Sequence, residues 1–235
     1  MDRGIKMKDI TVSDMIRICD GTLVCGKQDS LCRHFSKDTR TLQPGDVYVG
    51  IQGETINGST FYTQAIEKGA SVCLLENVEV DTNVILQHPE VSIVMVEDTV
   101  KALQQLASYK RMQYQIPVIA ITGSVGKTST KDMVASVVSQ KYKVLKTQGN
   151  YNNHIGLPLT ILELQQEEAL VVEMGMSALG EISVLTQIAK PTICVITNVG
   201  TSHIGKLGSR ENILKAKLEI LEGMQPGGVL LFPLM

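Results

Sequence analysis

Residues 118–134 read VIAITGSVGKTSTKDMV: an apolar run of strand length, a glycine-rich turn, then a helix-forming stretch. The common phosphate-loop pattern, G-x-x-x-x-G-K-[ST], calls for a glycine five positions before Gly126. Ile121 stands there instead, and the first glycine is Gly123, so the loop is two residues short. The shorter loop still has the parts that bind phosphate. Gly123 and Gly126 let backbone N–H groups turn inward around an anion, and a helix N-terminus favours negative charge. Lys127 can reach a β- or γ-phosphate, and the Thr128 hydroxyl can ligate magnesium. A G-K-T set directly between a strand and a helix makes a plain surface turn the weaker reading. The helix is expected to present Met133, Val134, Val137 and Val138 as its apolar face.

Downstream, the apolar runs ALVVEM, PTICVITN and GGVLLF follow the same rhythm, spaced by helical stretches near 180–189 and 210–222. Runs this apolar, alternating with helices, predict a parallel sheet covered on both faces. Upstream the texture changes. SDMIRICDG reads as a helix between Ser13 and Gly21, GDVYVGI as an alternating strand, and STFYTQAIEKGA as a helix closed by Gly69. SVCLLE and VSIVMVE read as strands, and a helix over 99–113 carries Val100, Leu103, Leu106 and Ala107 on one face. QYQIP reads as a linker, because Pro117 disfavours helix in the residue before it. The expected fold class is therefore α/β. A small mixed α/β domain over 1–114 precedes a P-loop-type parallel-sheet domain over 115–235, which ends abruptly and is expected to be truncated.

Bulk properties exclude several classes. A net charge of −2, from 22 basic and 24 acidic residues, gives no broad electrostatic footprint for nucleic acid, and the absence of tryptophan removes the best stacking side chain. No apolar run approaches a membrane span, and the first ten residues lack the apolar core of a signal peptide. Five scattered cysteines without C-x-x-C spacing fit neither a disulfide framework nor a zinc site. A cytoplasmic protein is expected, without membrane insertion or nucleic-acid partner.

In an open parallel sheet, ligands sit beyond the carboxyl ends of the strands. Glu173 closes the run ALVVE, where a carboxylate beside a phosphate loop can hold magnesium. His203 lies in the Gly- and Ser-rich stretch TNVGTSHIGKLGS; alone it is as readily structural as functional, and Asn198 and Thr201 equally suit loop stabilisation. Lys217, in SRENILKAKLEILEG, has Ile213, Leu214, Ile220 and Leu221 as its helical neighbours, so it falls inside the apolar stripe. An unpartnered ammonium there is costly; snorkelling, a phosphate contact, or conversion to an anionic group would each relieve it. Lys215, flanked by Glu211 and Glu219, reads as an ordinary exposed ion-pairing lysine. Asn150, Asn152 and Asn153 crowd the loop before GLPLTIL, which suits either a turn or a substrate-facing loop.

These motifs, in this order, resemble the Mur ligases, the ATP-dependent amide ligases of peptidoglycan precursor synthesis. The short TGSVGKTS loop is similar to that superfamily's nucleotide loop. NYNNHIGLPLTIL, EMGMSALGEI and TNVGTSHIGKLGS look most like the MurF type, which joins D-alanyl-D-alanine to UDP-MurNAc-tripeptide. Upstream, FSKDTRTLQPGDVYVGIQGETINGSTF resembles the domain that holds the UDP end of the substrate. The resemblance implies a nucleotide site of Gly123, Ser124, Val125, Gly126, Lys127, Thr128, Ser129 and Asn153. It implies magnesium held by Thr128 and Glu173, a second metal at His203, and a carbamate on Lys217, with Lys127, His203 and Lys217 acting in catalysis. Ser36, Thr39, Arg40 and Asn152 are implied to contact the substrate, and a monomer is expected. The family often has histidine where this chain has Ser59, and its members continue into a further domain, so little ligase activity is expected of this chain alone. Two other readings fit the same residues: a Mur ligase adding a single amino acid, and a nucleotide-binding module without turnover.

Overall fold

The computed structural model describes residues 9–233, which form two compact units that meet in sequence between Tyr109 and Lys110. The first unit runs β1 (Ile10–Thr11), α1 (Val12–Cys19), β2 (Thr22–Cys25), β3 (Leu31–Cys32), β4 (Phe35–Ser36), β5 (Val47–Val49), α2 (Tyr62–Glu67), β6 (Val72–Leu75), α3 (Thr82–Gln87) and β7 (Ser92–Met95). The helix α4 (Thr99–Met112) runs across the division.

Its main sheet has the order β2-β7-β6-β5-β4, parallel throughout except for the antiparallel β2–β7 pair. Val47, Tyr48 and Val49 are all buried, so GDVYVGI does not alternate between a wet and a dry face as its pattern predicts. It is an interior parallel strand covered on both sides. Tyr48, Tyr62, Ile66, Cys73, Leu75 and Ile93 form the core on one face of this sheet. Two local readings also shift. α1 is capped by Thr11, whose hydroxyl accepts from the Asp14 N–H while Asp14 accepts from the Thr11 N–H; Ser13 lies inside the helix. The helix ends on Asp20 at φ 52°, a conformation a short polar side chain tolerates. On α4, Ala102 is buried and Val100 only half-buried.

Ser59 belongs to this architecture. Its buried hydroxyl donates to the Gly50 carbonyl at 2.8 Å and accepts from the Glu76 N–H at 2.9 Å. A Cβ on Gly50 would stand 2.6 Å from the Ser59 Cα, so a small residue on each side lets these segments meet.

The second unit runs β8 (Val118–Thr122), α5 (Lys127–Val138), β9 (Val144–Lys146), α6 (Gly156–Leu162), β10 (Ala169–Glu173), α7 (Glu181–Ala189), β11 (Ile193–Ile196), α8 (Ile204–Leu207), α9 (Arg210–Leu218) and β12 (Val229–Leu231). All five strands are parallel in the order β12-β11-β8-β10-β9. β8 is central; Ile121 registers with Glu173 of β10 and Thr122 with Ile196 of β11. The carboxyl ends of these three strands therefore come together at one edge of the sheet.

α5 presents a different face from the one its apolar residues predict. Lys131 and Ala135 are buried, Val134 and Val138 are half-buried, and Met133 and Val137 are 69% and 72% exposed. Lys131 can point inward because its Nζ donates to the Thr147 carbonyl at 2.9 Å, which lets its methylene stem pack in the interior. The Lys215 reading also changes. Glu219 is buried and turned to α7, accepting from the N–H groups of Gly180 and Ser183 at 2.7 and 3.2 Å, and no ion pair joins it to exposed Lys215. Arg111 is buried with its guanidinium on the carbonyls of Ala189 and Tyr114, where it caps the end of α7. No disulfide forms among the described residues, and no helix among them is long and apolar enough to cross a membrane.

Candidate nucleotide and substrate sites

Where β8 ends, Gly123 begins the turn into α5. A Cβ on Gly123 would be driven into the Thr197 hydroxyl oxygen, so only glycine lets the phosphate loop run this close to the loop after β11. Five hydrogen bonds involving side chains, and one from the Ser124 N–H to the Asn198 carbonyl at 3.2 Å, then fasten the two loops together. Asn198 Oδ1 accepts from the N–H groups of Ser124 and Val125, both at 3.0 Å, and the Gly200 N–H donates to Ser124 Oγ at 2.9 Å. The Thr197 hydroxyl donates to the Val125 carbonyl at 2.6 Å and Ser202 to the Ser124 carbonyl at 3.1 Å. The N–H groups of Ser124 and Val125 thus face a protein acceptor, and those in the first turn of α5 remain for an anion. Lys127 folds back so that its Nζ donates to the Gly123 carbonyl at 3.0 Å.

Glu173, at the end of β10, is 2% exposed. Its backbone N–H donates to the Thr147 hydroxyl at 3.0 Å. Its carboxylate accepts from the Thr128 hydroxyl at 2.8 Å on Oε2 and from Asn152 Nδ2 at 2.8 Å on Oε1. Each oxygen keeps a further lone pair, and with the Thr128 hydroxyl these are hard oxygen donors of the kind magnesium takes. The residues present fit that ion.

Beside this pair lies a cavity of about 440 Å³ whose wall includes Gly123, Lys127, Asn152, Asn153, His203 and Lys217. Lys217 is 2% exposed, and its Nζ makes no hydrogen bond or ion pair with a described residue. Burial, reinforced by the nearby Lys127 ammonium, lowers its pKa to about 8. His203 holds a left-handed φ of 65° at the start of α8, a conformation uncommon outside glycine but one that histidine adopts more readily than most side chains. Among the described residues no three His, Cys, Asp or Glu side chains cluster as a metal site. Oxygen donors beside His203 would come from Lys217 only if it were converted to a carbamate. Ser129 and Thr128 are exposed on the first turn of α5, and Val125 at the tip of the loop is 60% exposed.

The asparagines divide their work. Asn153 Oδ1 accepts from the N–H groups of Ile155 and Gly156, starting α6, while Asn152 turns to Glu173. Sequence reasoning passed over two wall residues, His154 and Glu181. Glu181 accepts from the Ser177 N–H and hydroxyl at 2.5 and 3.1 Å, a local capping pattern whose S-x-x-x-E spacing was the available signal.

In the first unit, Thr39 and Arg40 line a separate cavity of about 460 Å³ with Lys37, Tyr48, Phe61 and Gln64. Arg40 is bound by Asp38, with contacts of 2.9, 3.2 and 2.6 Å, and the guanidinium holds the Asp38 carboxyl down at about 2. The Thr39 hydroxyl donates to Gln64 at 2.7 Å, and Ser36 closes a turn with Asp38 without lining the cavity.

Comparison with known proteins agrees with this layout. Residues 121–235 match the Mur ligase middle domain, and residues 34–111 match a domain described as Mur ligase family, catalytic domain. The UDP-N-acetylmuramoyl-tripeptide–D-alanyl-D-alanine ligase of Bacillus subtilis is 42% identical over 224 residues, 94% of this chain and 48% of the relative. The Escherichia coli ligase of the same name is 34% identical over 95% of this chain and 47% of its own. Among solved structures, MurF from Acinetobacter baumannii superposes with a TM-score of 0.82 at 33% identity, covering 95% of this chain and 48% of that one. MurF ligase from Thermotoga maritima in complex with ADP gives 0.76 at 35% identity, covering 87% and 46%. The chain spans about half the length of the curated relatives it matches.

Proposed function

The chain belongs to the Mur ligase family, and from that premise we propose that it carries the UDP-substrate and ATP-binding parts of the MurF-type amide ligase. The reaction is the joining of D-alanyl-D-alanine to UDP-MurNAc-tripeptide, by a cytoplasmic enzyme that works as a monomer. The observation that carries the reading is the Thr128–Glu173 pair, 2.8 Å apart, beside a cavity walled by Lys127 and Lys217. It supports a site for a nucleotide's phosphates and one magnesium ion, which would offset the phosphates' charge when bound.

In this reading the terminal carboxylate of the tripeptide attacks the γ-phosphorus of ATP, and ADP leaves, giving an acyl phosphate. The D-alanyl-D-alanine amine then attacks the acyl carbon, releasing phosphate and a proton and forming the amide. Lys127 leaves the Gly123 carbonyl for the transferring phosphoryl group, and the first turn of α5 orients it with N–H groups. Lys217 acts as a carbamate, which would satisfy the buried amine and give His203 an oxygen-donor neighbour. Arg40 and Thr39 receive the uridine diphosphate in the first unit.

The test is a mass-detected ligation with MgATP, bicarbonate, UDP-MurNAc-tripeptide and D-alanyl-D-alanine, the chain being supplemented with the remaining half of the Bacillus subtilis ligase. Pentapeptide product that disappears with Lys127→Ala is expected. Product only with a single amino acid and a shorter peptide would assign a different Mur ligase. Tight ADP binding without any product would make the chain a binding module.

A further inference from the structure

We propose that Asn152 is a positioning residue: its side-chain amide sets the rotation of the Glu173 carboxylate and so the pair of oxygens offered to a divalent cation. The proposal rests on the reading of Glu173 as a cation holder. The backbone of Glu173 is already fixed by its strand pairing and by the N–H bond to Thr147. What remains free is the carboxylate's rotation about its own stem. Two donors from different segments fix it, one on each oxygen: the Thr128 hydroxyl on Oε2 and Asn152 Nδ2 on Oε1, both at 2.8 Å. An ionised carboxylate only accepts, so the amide nitrogen must face it, and the orientation of Asn152 follows from the chemistry.

The seat of Asn152 is built separately. Its backbone carbonyl accepts from the Gly175 N–H at 2.9 Å, so the loop is pinned two residues beyond Glu173. A Cβ on Gly175 would lie 3.0 Å from Asn152 Oδ1 and 3.1 Å from its Cγ, tighter than ordinary contact. Gly175 therefore leaves room for the amide in this position, and a methyl group there would press it aside by a few tenths of an ångström. Asn153, next in sequence, is spent on α6. The pair NN thus has two separate tasks, and the one reaching the site acts through Glu173.

The test is calorimetric titration of the chain with ADP, with and without magnesium; its readout is the ratio of the two affinities. Glu173→Gln is expected to abolish the tightening by magnesium. Asn152→Ala is expected to reduce that tightening about tenfold, the scale on which residues orienting a ligand act, while leaving magnesium-free ADP affinity unchanged. Gly175→Ala, which crowds the amide without touching Glu173, is expected to act in the same direction and carries the test if Asn152→Ala fails to fold. Full magnesium tightening in Asn152→Ala and Gly175→Ala, with Glu173→Gln inactive in the same assay, would overturn the proposal alone. An equal loss of affinity with and without magnesium would also overturn it, making Asn152 a nucleotide contact. Unchanged tightening in Glu173→Gln would remove the cation reading itself and the proposal with it.

Discussion

Lys127 and Lys217 share the wall of one cavity, and no described carboxylate pairs with either ammonium. Two cations held together without an anion make a receptor for one, and the cost is visible on Lys217, whose pKa falls to about 8. The folded pKa lies below the ordinary lysine value, so between about pH 8 and 10.5 the unfolded chain binds more protons. Stability contributed by this group therefore rises with pH through that window, and its penalty is complete below it. In bicarbonate-free buffer Lys217→Met is expected to be more stable than the parent chain at pH 7, with the gap narrowing towards pH 10. Urea denaturation at several pH values checks this; a gap independent of pH would sink the argument.

The same depression makes Lys217 a nucleophile. At pH 7 about a tenth of its amine is neutral, against about three parts in ten thousand for an unperturbed lysine. In ¹³C-bicarbonate a single carbamate carbonyl signal is expected, absent from Lys217→Met and retained in Lys215→Ala. A signal that survives Lys217→Met would assign the modification elsewhere.

Glu219 fastens the turn after α9 to the start of α7 through the N–H groups of Gly180 and Ser183. A buried carboxylate on a helix N-terminus combines a charge-assisted bond with a favourable dipole. Glu219→Ala is expected to destabilise the chain by about 1–3 kcal/mol, because the N–H groups lose a buried acceptor. Lys215→Ala is expected to stay within about 0.5 kcal/mol, as exposed substitutions do. Equal effects from the two in chemical denaturation would restore the ion pair that their spacing predicts.

That contrast marks where sequence stops being legible. The parallel sheet could be read because β8, β10 and β11 are apolar on both faces, and the edge bearing the site followed from strand ends alone. Lys217 could be read because four apolar neighbours surround it at helical spacing. Glu219 could not: its helical spacing to Lys215 is local, whereas its partners lie almost forty residues away in sequence, and only the fold brings them together. The face of α5 failed for a related reason. Lys131 is buried by a bond to the Thr147 carbonyl, a backbone acceptor that no residue pattern announces. The bond between Asn152 and Glu173 was equally hidden, since the two lie 21 residues apart and only the fold makes them neighbours.

In the first unit, Arg40 is occupied by Asp38, and because that carboxyl is held at about 2 the pair persists through the neutral range. If this guanidinium receives the uridine diphosphate, as proposed above, Asp38 competes with it for Nε and Nη2. Asp38→Asn is expected to tighten UDP binding by a few-fold at most, the scale on which exposed ion pairs act. Arg40→Ala is expected to weaken it, and the two effects should not add. Fluorescence or calorimetric titration with UDP measures both, and weakening by Asp38→Asn would show that the pair orients Arg40 instead of competing for it.

Gly123 and Thr197 set how closely the phosphate loop lies against the loop after β11. A methyl group on Gly123 meets the Thr197 hydroxyl oxygen, and that hydroxyl cannot simply turn away because it holds the Val125 carbonyl at 2.6 Å. Gly123→Ala must push the loops apart, and the Asn198 bonds to Ser124 and Val125 go with them. ADP affinity is expected to fall at least tenfold, about 1.4 kcal/mol or more. Thr197→Ala in the same chain removes the obstructing oxygen and is expected to restore part of the loss. Gly180 provides the comparison. Its φ is 86° but nothing lies within 4 Å of a Cβ there, so Gly180→Ala should cost about 1 kcal/mol of stability and leave ADP binding unchanged. If Gly123→Ala binds ADP as the parent does, the close approach of the two loops is not what shapes the phosphate loop, and Lys127 with the first turn of α5 must suffice.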